Sequence, residues 1–406
     1  MRRGIIFLAI IVLIVGAQMF VHQRKTPQSL LDAISTRYSK NFDQHGLVMK
    51  APSYGVSDWT TLGYPREQLM AAWYYLPRAK QGNQAARTKI HTIWLQTVQN
   101  FQSPHDNIFS YAQAAAMLVA FPQQLPDLFS GDDLTTMRSV LKNELPAATK
   151  STETINRGVI TAVDWTYVTS QLTAANVLDE EQNTSYQNAF RNLLTKSLAS
   201  CVDGDGWYRE NGKLSLHYQA VAAFHLMWYA EFEHTSDDLA LATKMYTNLR
   251  DLSFQNGLIE MRFGVRPIGD SVQMSLMMGG MADALMDVPA STYFSLLNGD
   301  RFFQDRQYPN RLEYHATVAG STPVYEDDIA ASGAMMILSV WPEANLNSQM
   351  RVDSTFNQQI DKTIGSVHIT NTGKKITVTD AVQHTRSTAT LRSNGLQTRF
   401  VSETTN

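Results

Sequence analysis

Leu216–Glu233 has the sequence LHYQAVAAFHLMWYAEFE, in which apolar residues recur at spacings of three and four positions. Val221, Phe224 and Trp228 lie on one face if this stretch is helical, which is the pattern of an α-helix with one buried side. Neither glycine nor proline interrupts it. We therefore predict one helix of ordinary length here, and the same pattern continues along the chain in both directions.

The same periodicity predicts further helices between short polar loops. They cover Ser29–Phe42, Pro65–Leu76, Ala85–Phe101, Ser110–Phe121, Asp132–Glu144, Gly158–Ala174, Glu180–Ser200, Ser236–Phe254 and Ser271–Met286. Pro65 suits a first helical turn, and Ser130 precedes two aspartates that suit the positive end of a helix. Helical hairpins on this scale either stack into a solenoid or close into a toroid. The lack of a strict repeat period disfavours a tetratricopeptide-like array.

The composition of the chain changes after Val288. Four later stretches are threonine-rich and β-prone: Val367–Thr370, Ile376–Thr379, Ala389–Arg392 and Leu396–Phe400. The first two alternate apolar and polar residues on either side of a turn at Asn371–Gly373, which predicts a β-hairpin. A helical domain over residues 26–288 and a β-rich region over residues 289–406 are therefore expected.

Charge and cysteine content exclude several classes of function. The chain of 406 residues has a net charge of −3, whereas a nucleic-acid binder needs a basic surface to meet the phosphate backbone. Cys201 is the only cysteine, which rules out an intrachain disulfide and a thiolate zinc site. We expect no nucleic-acid partner.

The N-terminus has the order of an export signal. Arg2 and Arg3 precede an apolar run over Ile5–Val15, and small residues follow. Residues 1–25 are therefore predicted to be a signal peptide or an N-terminal membrane anchor, and we favour the uncleaved anchor. The protein would then be membrane-bound in the cell envelope, facing the periplasm or the exterior, or secreted if it is cleaved after Ala17.

Polar and aromatic residues cluster where one predicted helix ends and the next begins. The clusters are Asp58–Arg66, Thr154–Trp165, Asp203–Tyr218 and Met261–Ser271. Loops at one end of a helical toroid would converge on one cleft.

Five motifs in and beyond these clusters resemble one enzyme family. They are Trp59 with Gly63–Arg66, Asn156-Arg157, the run from Asp205 to His217, Arg262–Ile268 and Glu326–Met335. They occur in the order of the hyaluronate, chondroitin and xanthan lyase family. This resemblance implies an incomplete (α/α) toroid of helical hairpins followed by a smaller antiparallel β-rich region. It also implies cleavage of an acidic, uronic-acid-containing polysaccharide by β-elimination.

The resemblance assigns roles to individual residues. Asn156 would face the uronate carboxylate, His217 would lie beside the proton to be removed, and Arg266 would hold the polymer. Sugar rings would stack on aromatic residues and meet further basic ones, which gives a predicted binding set of Trp59, Arg157, Trp207, Tyr208 and Arg262. The family has a catalytic tyrosine nine residues after the histidine, where this chain has Leu226. Tyr218 or Tyr229 would have to replace it.

Other interpretations of the same residues stay open. Asn156 is also a good helix cap. A glycoside hydrolase on a helical toroid needs two carboxylates, for which Asp203, Asp205 and Glu210 in one loop and Glu326, Asp327 and Asp328 in another are candidates. A third alternative is a non-catalytic glycan-binding or assembly protein.

No metal or cofactor is predicted. Asp203-Gly204-Asp205-Gly206 resembles the start of a calcium loop, but the later acidic positions of that motif are missing.

Overall fold

The computed structural model of the chain describes Arg66, Gln68, Leu69 and Ala72, and residues 75–101, 108–255, 259–265, 359–391 and 398–405. The α-helices in these ranges are α1 (Leu76–Lys80), α2 (Gln84–Asn100), α3 (Ile108–Gln124), α4 (Gly131–Ala148), α5 (Ile155–Ala174), α6 (Glu180–Cys201), α7 (Leu216–Glu233) and α8 (Ser236–Asp251). A 3-10 helix follows at Met261–Phe263. The predicted helices between Ala85 and Phe254 are confirmed. The predicted helix Pro65–Leu76 lies partly outside the described residues, and α1 begins where that prediction ends.

Some predictions lie outside the described residues. These are the export segment at residues 1–25, the helices Ser29–Phe42 and Ser271–Met286, and the domain boundary after residue 288. Within the described ranges, no helix is long and apolar enough to cross a membrane.

Helices α3, α5 and α7 pack side by side and run in the same direction. At the N-terminal ends of α3 and α5, the Arg157 guanidinium lies over the ring of Phe109, 5.2 Å from its centroid. At the C-terminal ends, Tyr167 Oη donates a hydrogen bond to Gln123 Oε1 over 3.1 Å. The Tyr167 ring also lies 5.0 Å from the Trp228 ring of α7. Because like ends meet, these three helices form a parallel inner layer.

Outer helices run in the opposite direction to the inner helices that they cover. The start of α5 meets the end of α6 at Gly158, where an added Cβ would lie 2.0 Å from Ser197 Oγ. The start of α7 meets the second half of α8 through Gln219, whose Nε2 donates to the Met245 carbonyl over 2.9 Å. Helix α5 is buried on all sides from Gly158 to Thr169, since helices cover both of its faces. Alternating inner and outer helices make the predicted (α/α) toroid.

Within the β-rich region, the described residues 359–391 and 398–405 form a five-stranded antiparallel sheet whose strands follow one another in sequence order. Its strands are β3 (Ile360–Ile364), β4 (Val367–Asn371), β5 (Lys375–Asp380), β6 (Thr385–Leu391) and β7 (Thr398–Thr404). Strands β4 and β5 form the predicted hairpin, in which Ile369 is paired with Val378. Strand β3 was not predicted, and neither was the short hairpin of β1 (Arg209–Glu210) and β2 (Lys213–Leu214).

The sheet is fixed to the helical part by buried polar contacts as well as by an apolar face. The apolar side chains of that face are Val367, Ile369, Ile376, Val378 and Ala389. Asn371 Nδ2 donates to the carbonyls of Asp251 and Ser253, at the end of α8, over 2.9 and 2.8 Å. Arg209 of β1 pairs with the buried carboxylate of Asp380 over 3.0 Å. The helices and the sheet therefore share one core.

Candidate functional site

The first turns of the inner helices meet at one end of the toroid, and several predicted site residues lie there. Asn156 and Arg157 are in the first turn of α5, and His217 and Tyr218 are in the first turn of α7. The first turns of α3, α5 and α7 contain no acidic residue, whereas those of α4, α6 and α8 each contain two. Because the N-terminal end of a helix is partially positive, this end of the toroid favours an anionic ligand.

The backbone is strained just before Asn156. Ile155 has a φ of 60°, which a β-branched residue adopts rarely and at a cost on the order of 1–3 kcal/mol. The N-cap residue of α5 is Thr154, so the alternative role of Asn156 as the helix cap is wrong. The half-buried carboxamide of Asn156 forms no hydrogen bond to another described residue. It is therefore available to a ligand.

Aromatic rings connect the start of α5 with the start of α7. The Tyr208 hydroxyl lies beside the backbone of Asn156 and the thiol of Cys201, and burial raises its pKa, so it stays neutral. The Tyr208 ring makes an edge contact with Tyr218, with centroids 5.9 Å apart. Tyr218 makes a similar contact with the His217 ring at 5.4 Å. His217 and Tyr218 are half-buried, and both remain accessible.

Two predicted sugar-binding residues belong to the core instead. The exposed fraction of both Trp207 and Tyr208 is 0%. Trp207 Nε1 donates to the Ile364 carbonyl over 3.0 Å and so ties the loop to the sheet. Neither ring has a face open to a sugar, and the predicted binding role is corrected to a packing role for both residues.

Arg262 makes structural contacts, and its predicted sugar-binding role stays a prediction. Its Nε and Nη2 each donate to the Glu260 carboxylate over 2.7 Å, and its guanidinium lies over the Phe400 ring of the sheet at 4.9 Å. The same segment reaches the start of α7, because the Val265 N–H donates to the Leu214 carbonyl over 2.8 Å. Arg266, the next residue, lies outside the described residues, as does Trp59.

The position of the missing tyrosine is distant from His217. Helix α7 is continuous, so Leu226 lies roughly 13 Å along its axis from His217, at 1.5 Å per residue. Leu226 is also fully buried. Tyr229 lies one turn further, with its ring under the Arg191 guanidinium at 5.3 Å. Of the two predicted replacements, Tyr218 is the one beside His217.

In the acidic loop before α7, the carboxylate of Asp203 makes contacts within the loop itself. Asp203 Oδ1 accepts hydrogen bonds from the backbone N–H groups of Asp205 and Trp207 over 3.0 and 2.9 Å. Its Oδ2 pairs with Arg209 over 3.2 Å. Asp203 is therefore a poor choice for a catalytic carboxylate. Across the described ranges, no three His, Cys, Asp or Glu side chains are grouped as metal ligands.

Sequence reasoning missed the most unusual carboxyl group. Asp164 lies in the middle of α5 and is 2% exposed. Its Oδ2 has no hydrogen-bond partner in the described part of the chain, and burial raises its pKa well above the usual range. The only sequence signal was a single acid inside the apolar run Val159–Val168.

Comparisons with known proteins bear on the fold. No protein-family model and no curated protein matches the sequence. Among solved structures, the chain is similar to an unsaturated glucuronyl hydrolase from Bacillus sp. GL1, which is described as responsible for the degradation of glycosaminoglycan. The TM-score is 0.50 at 11% identity, over 79% of this chain and 97% of that chain. The likeness shows the fold. It does not extend to the site residues at this level of identity.

Proposed function

We propose that this chain acts on a uronic-acid-containing polysaccharide at the N-terminal end of its inner helices and cleaves it by β-elimination. The observation that carries the proposal is the placement of Asn156 and His217 in the first turns of adjacent parallel helices, joined through Tyr208 and Tyr218. An acidic polymer suits an end of the toroid whose inner first turns carry Arg157 and no acid. The similar glucuronyl hydrolase supports a uronate substrate for this fold.

The reaction breaks the C–H bond α to the uronate carboxylate and the C–O bond β to it, and leaves a conjugated double bond. Asn156 Nδ2 donates to the carboxylate and stabilises the charge that develops there. His217 takes the proton, and the Tyr218 hydroxyl protonates the leaving oxygen. Because the rings of His217 and Tyr218 are in contact, with centroids 5.4 Å apart, the base and the acid approach the same linkage.

Hydrolysis is the second candidate reaction, and Asp164 is the observation that favours it. Glycosidases keep one carboxyl group protonated in an apolar setting so that it can donate a proton. Asp164 fits this description, because burial raises its pKa and its Oδ2 has no hydrogen-bond partner in the described part of the chain. It lies about 12 Å deeper along α5 than Asn156, so a saccharide would have to enter the toroid to reach it.

The site of action is the cell envelope in this proposal. Residues 1–25 carry the export pattern and would anchor the protein in a membrane. Membrane fractionation of the chain with and without residues 1–25 tests this, because loss of the segment should leave the protein inside the cell. Retention in the membrane fraction without it would contradict the anchor.

Two assays on the same reaction mixture separate the candidate reactions. Uronate polymers are incubated with the protein, and the ultraviolet absorbance of the conjugated product and the reducing ends are both measured. His217→Ala should lower the rise in absorbance by about 10²–10⁴-fold, and Asn156→Ala should also lower it. Two variants are matched controls. His368→Ala replaces a histidine whose partner Asp361 is exposed, and Asn188→Ala replaces an asparagine on the exposed side of α6.

The outcomes assign the function. If new reducing ends form without a rise in absorbance, and Asp164→Asn abolishes them, the protein is a hydrolase and the lyase proposal is wrong. Polymer retained by the protein without either product would replace both by a glycan-binding or assembly role.

A further inference from the structure

Two arginines hold their guanidinium groups against one aromatic ring at the proposed site. The Cζ atoms of Arg66 and Arg157 lie 4.8 and 5.2 Å from the centroid of Phe109. Arg66 is 5% exposed, and its Nη1 donates to Gln113 Oε1 over 3.0 Å, so its position is fixed. Arg157 is exposed. A ring face orients a guanidinium and leaves N–H donors on its rim for an anion.

The charge of Arg157 is not balanced by a carboxylate in the described part of the chain. Arg157 lies in the first turn of α5, where the helix dipole is already positive, and a second guanidinium shares its ring. Elsewhere Arg191 and Arg209 each pair with a carboxylate, but Arg157 forms no ion pair with any described residue. An oxyanion bound at Arg157, beside the ring that the fixed Arg66 also contacts, would balance this charge.

We propose that Arg66, Phe109 and Arg157 form an oxyanion-binding subsite for a carboxylate or sulfate group on a sugar next to the one that Asn156 engages. Asn156 and Arg157 are consecutive, so their side chains point about 100° apart around the helix axis and meet different groups. The identity of the ligand as part of the polymer rests on the proposed function. The subsite would select polymers in which negative charge recurs along the chain.

Arg157→Gln is the variant that tests the subsite, because Arg157 is exposed and its loss leaves the core intact. Calorimetric titrations at several salt concentrations use oligogalacturonate, its methyl ester and a sulfated neutral oligosaccharide as probes. The dissociation constant for a charged probe should rise at least about tenfold, as for loss of one charge-assisted contact, and its dependence on salt should weaken. The methyl ester should bind weakly to wild type and variant alike.

Two further variants make the test specific. Phe109→Leu keeps both charges but removes the ring, so it should also weaken binding of the charged probe. Arg399→Gln removes an exposed arginine in β7 and should leave the dissociation constant unchanged. A loss confined to oligogalacturonate identifies a carboxylate site, and a loss confined to the sulfated probe identifies a sulfate site.

The subsite and the proposed reaction can fail separately. Equal binding by Arg157→Gln and the wild type on every charged probe overturns the subsite, even if the polymer is cleaved. Binding that depends on Arg157, with neither unsaturated product nor new reducing ends, upholds the subsite and overturns the catalytic proposal. Absence of binding to every charged probe by the wild type overturns both.

Discussion

Gly158→Ala tests the contact that sets the start of α5, where the proposed site lies. The added Cβ would lie 2.0 Å from Ser197 Oγ, 2.9 Å from the Glu153 carbonyl oxygen and 3.0 Å from Ser197 Cβ. Rotation of the Ser197 hydroxyl removes the worst contact without losing a hydrogen bond, because that oxygen has no partner in the described part of the chain. The other two contacts remain, so α5 must move away from Ser197 of α6 and the backbone at Glu153, just before α5, must shift.

The expected magnitude follows from two opposing effects. Overpacking of a buried contact costs about 1–3 kcal/mol, and alanine in place of glycine within a helix regains up to about 1 kcal/mol. We therefore expect Gly158→Ala to lower the free energy of unfolding by about 1–2 kcal/mol in urea denaturation. Binding of the charged polymer should weaken as well, since Asn156 and Arg157 move with the first turn of α5.

A double-mutant cycle with Ser197→Gly isolates the contact. Ser197→Gly removes both the hydroxyl and the Cβ that the new methyl group meets, so the double variant should be more stable than the sum of the single changes predicts. A Gly158→Ala variant as stable as the wild type, with additive effects in the cycle, would refute the close approach of α5 and α6.

Three further predictions concern buried groups. Arg209→Met should lower the free energy of unfolding by about 3–5 kcal/mol, because it leaves the Asp380 carboxylate buried without its cation. Urea denaturation of the double variant with Asp380→Asn should show partial recovery of this stability. No recovery would contradict the prediction. Asp164→Asn should stabilise the protein at neutral pH but not below about pH 4. The pKa of Asp164 is raised in the folded state, so the wild type loses stability as the pH rises towards and through that pKa. An equal effect of the substitution at both pH values in urea denaturation would contradict this reasoning. Burial raises the pKa of the Cys201 thiol to about 11, so alkylation near neutral pH should be slow in the native protein and fast in denaturant; rapid labelling of the native protein would show that the thiol is accessible.

The helical half of the fold was predictable because each helix buries a face and so keeps its apolar period. Leu216–Glu233 was predicted with the ends that the structure has, and Glu180–Ser200 differs by one residue at its C-terminus. The β4–β5 hairpin was equally clear, since a turn with Gly373 separates two alternating stretches. These signals are local, and the residues that produce them are near one another in sequence.

The roles of Trp207 and Tyr208 were not predictable in this way. Both follow a polar, glycine-containing loop, which is typical of exposed aromatic residues. They are buried because the β3–β4 turn covers that loop, with Trp207 bonded to the carbonyl of Ile364 and Arg209 to Ser366. Ile364 and Ser366 are far from this loop in sequence, and no local sequence pattern predicts that the two segments are in contact.

The first turns of the helices carry a further sequence signal, which bears on the end of the toroid at which the site is proposed. In a toroid of hairpins, successive inner helices run in parallel, so their first turns must meet at one end. Helices α4, α6 and α8 begin with acids, as the helix dipole favours. The inner helices α3, α5 and α7 do not, and neither does α2. The first turns of the inner helices thus lack the acids that the dipole favours, at the end that also carries Arg66 and Arg157. These helices therefore lack a stabilising interaction at their starts, and the proposed function accounts for this because an anionic substrate would supply the missing negative charge.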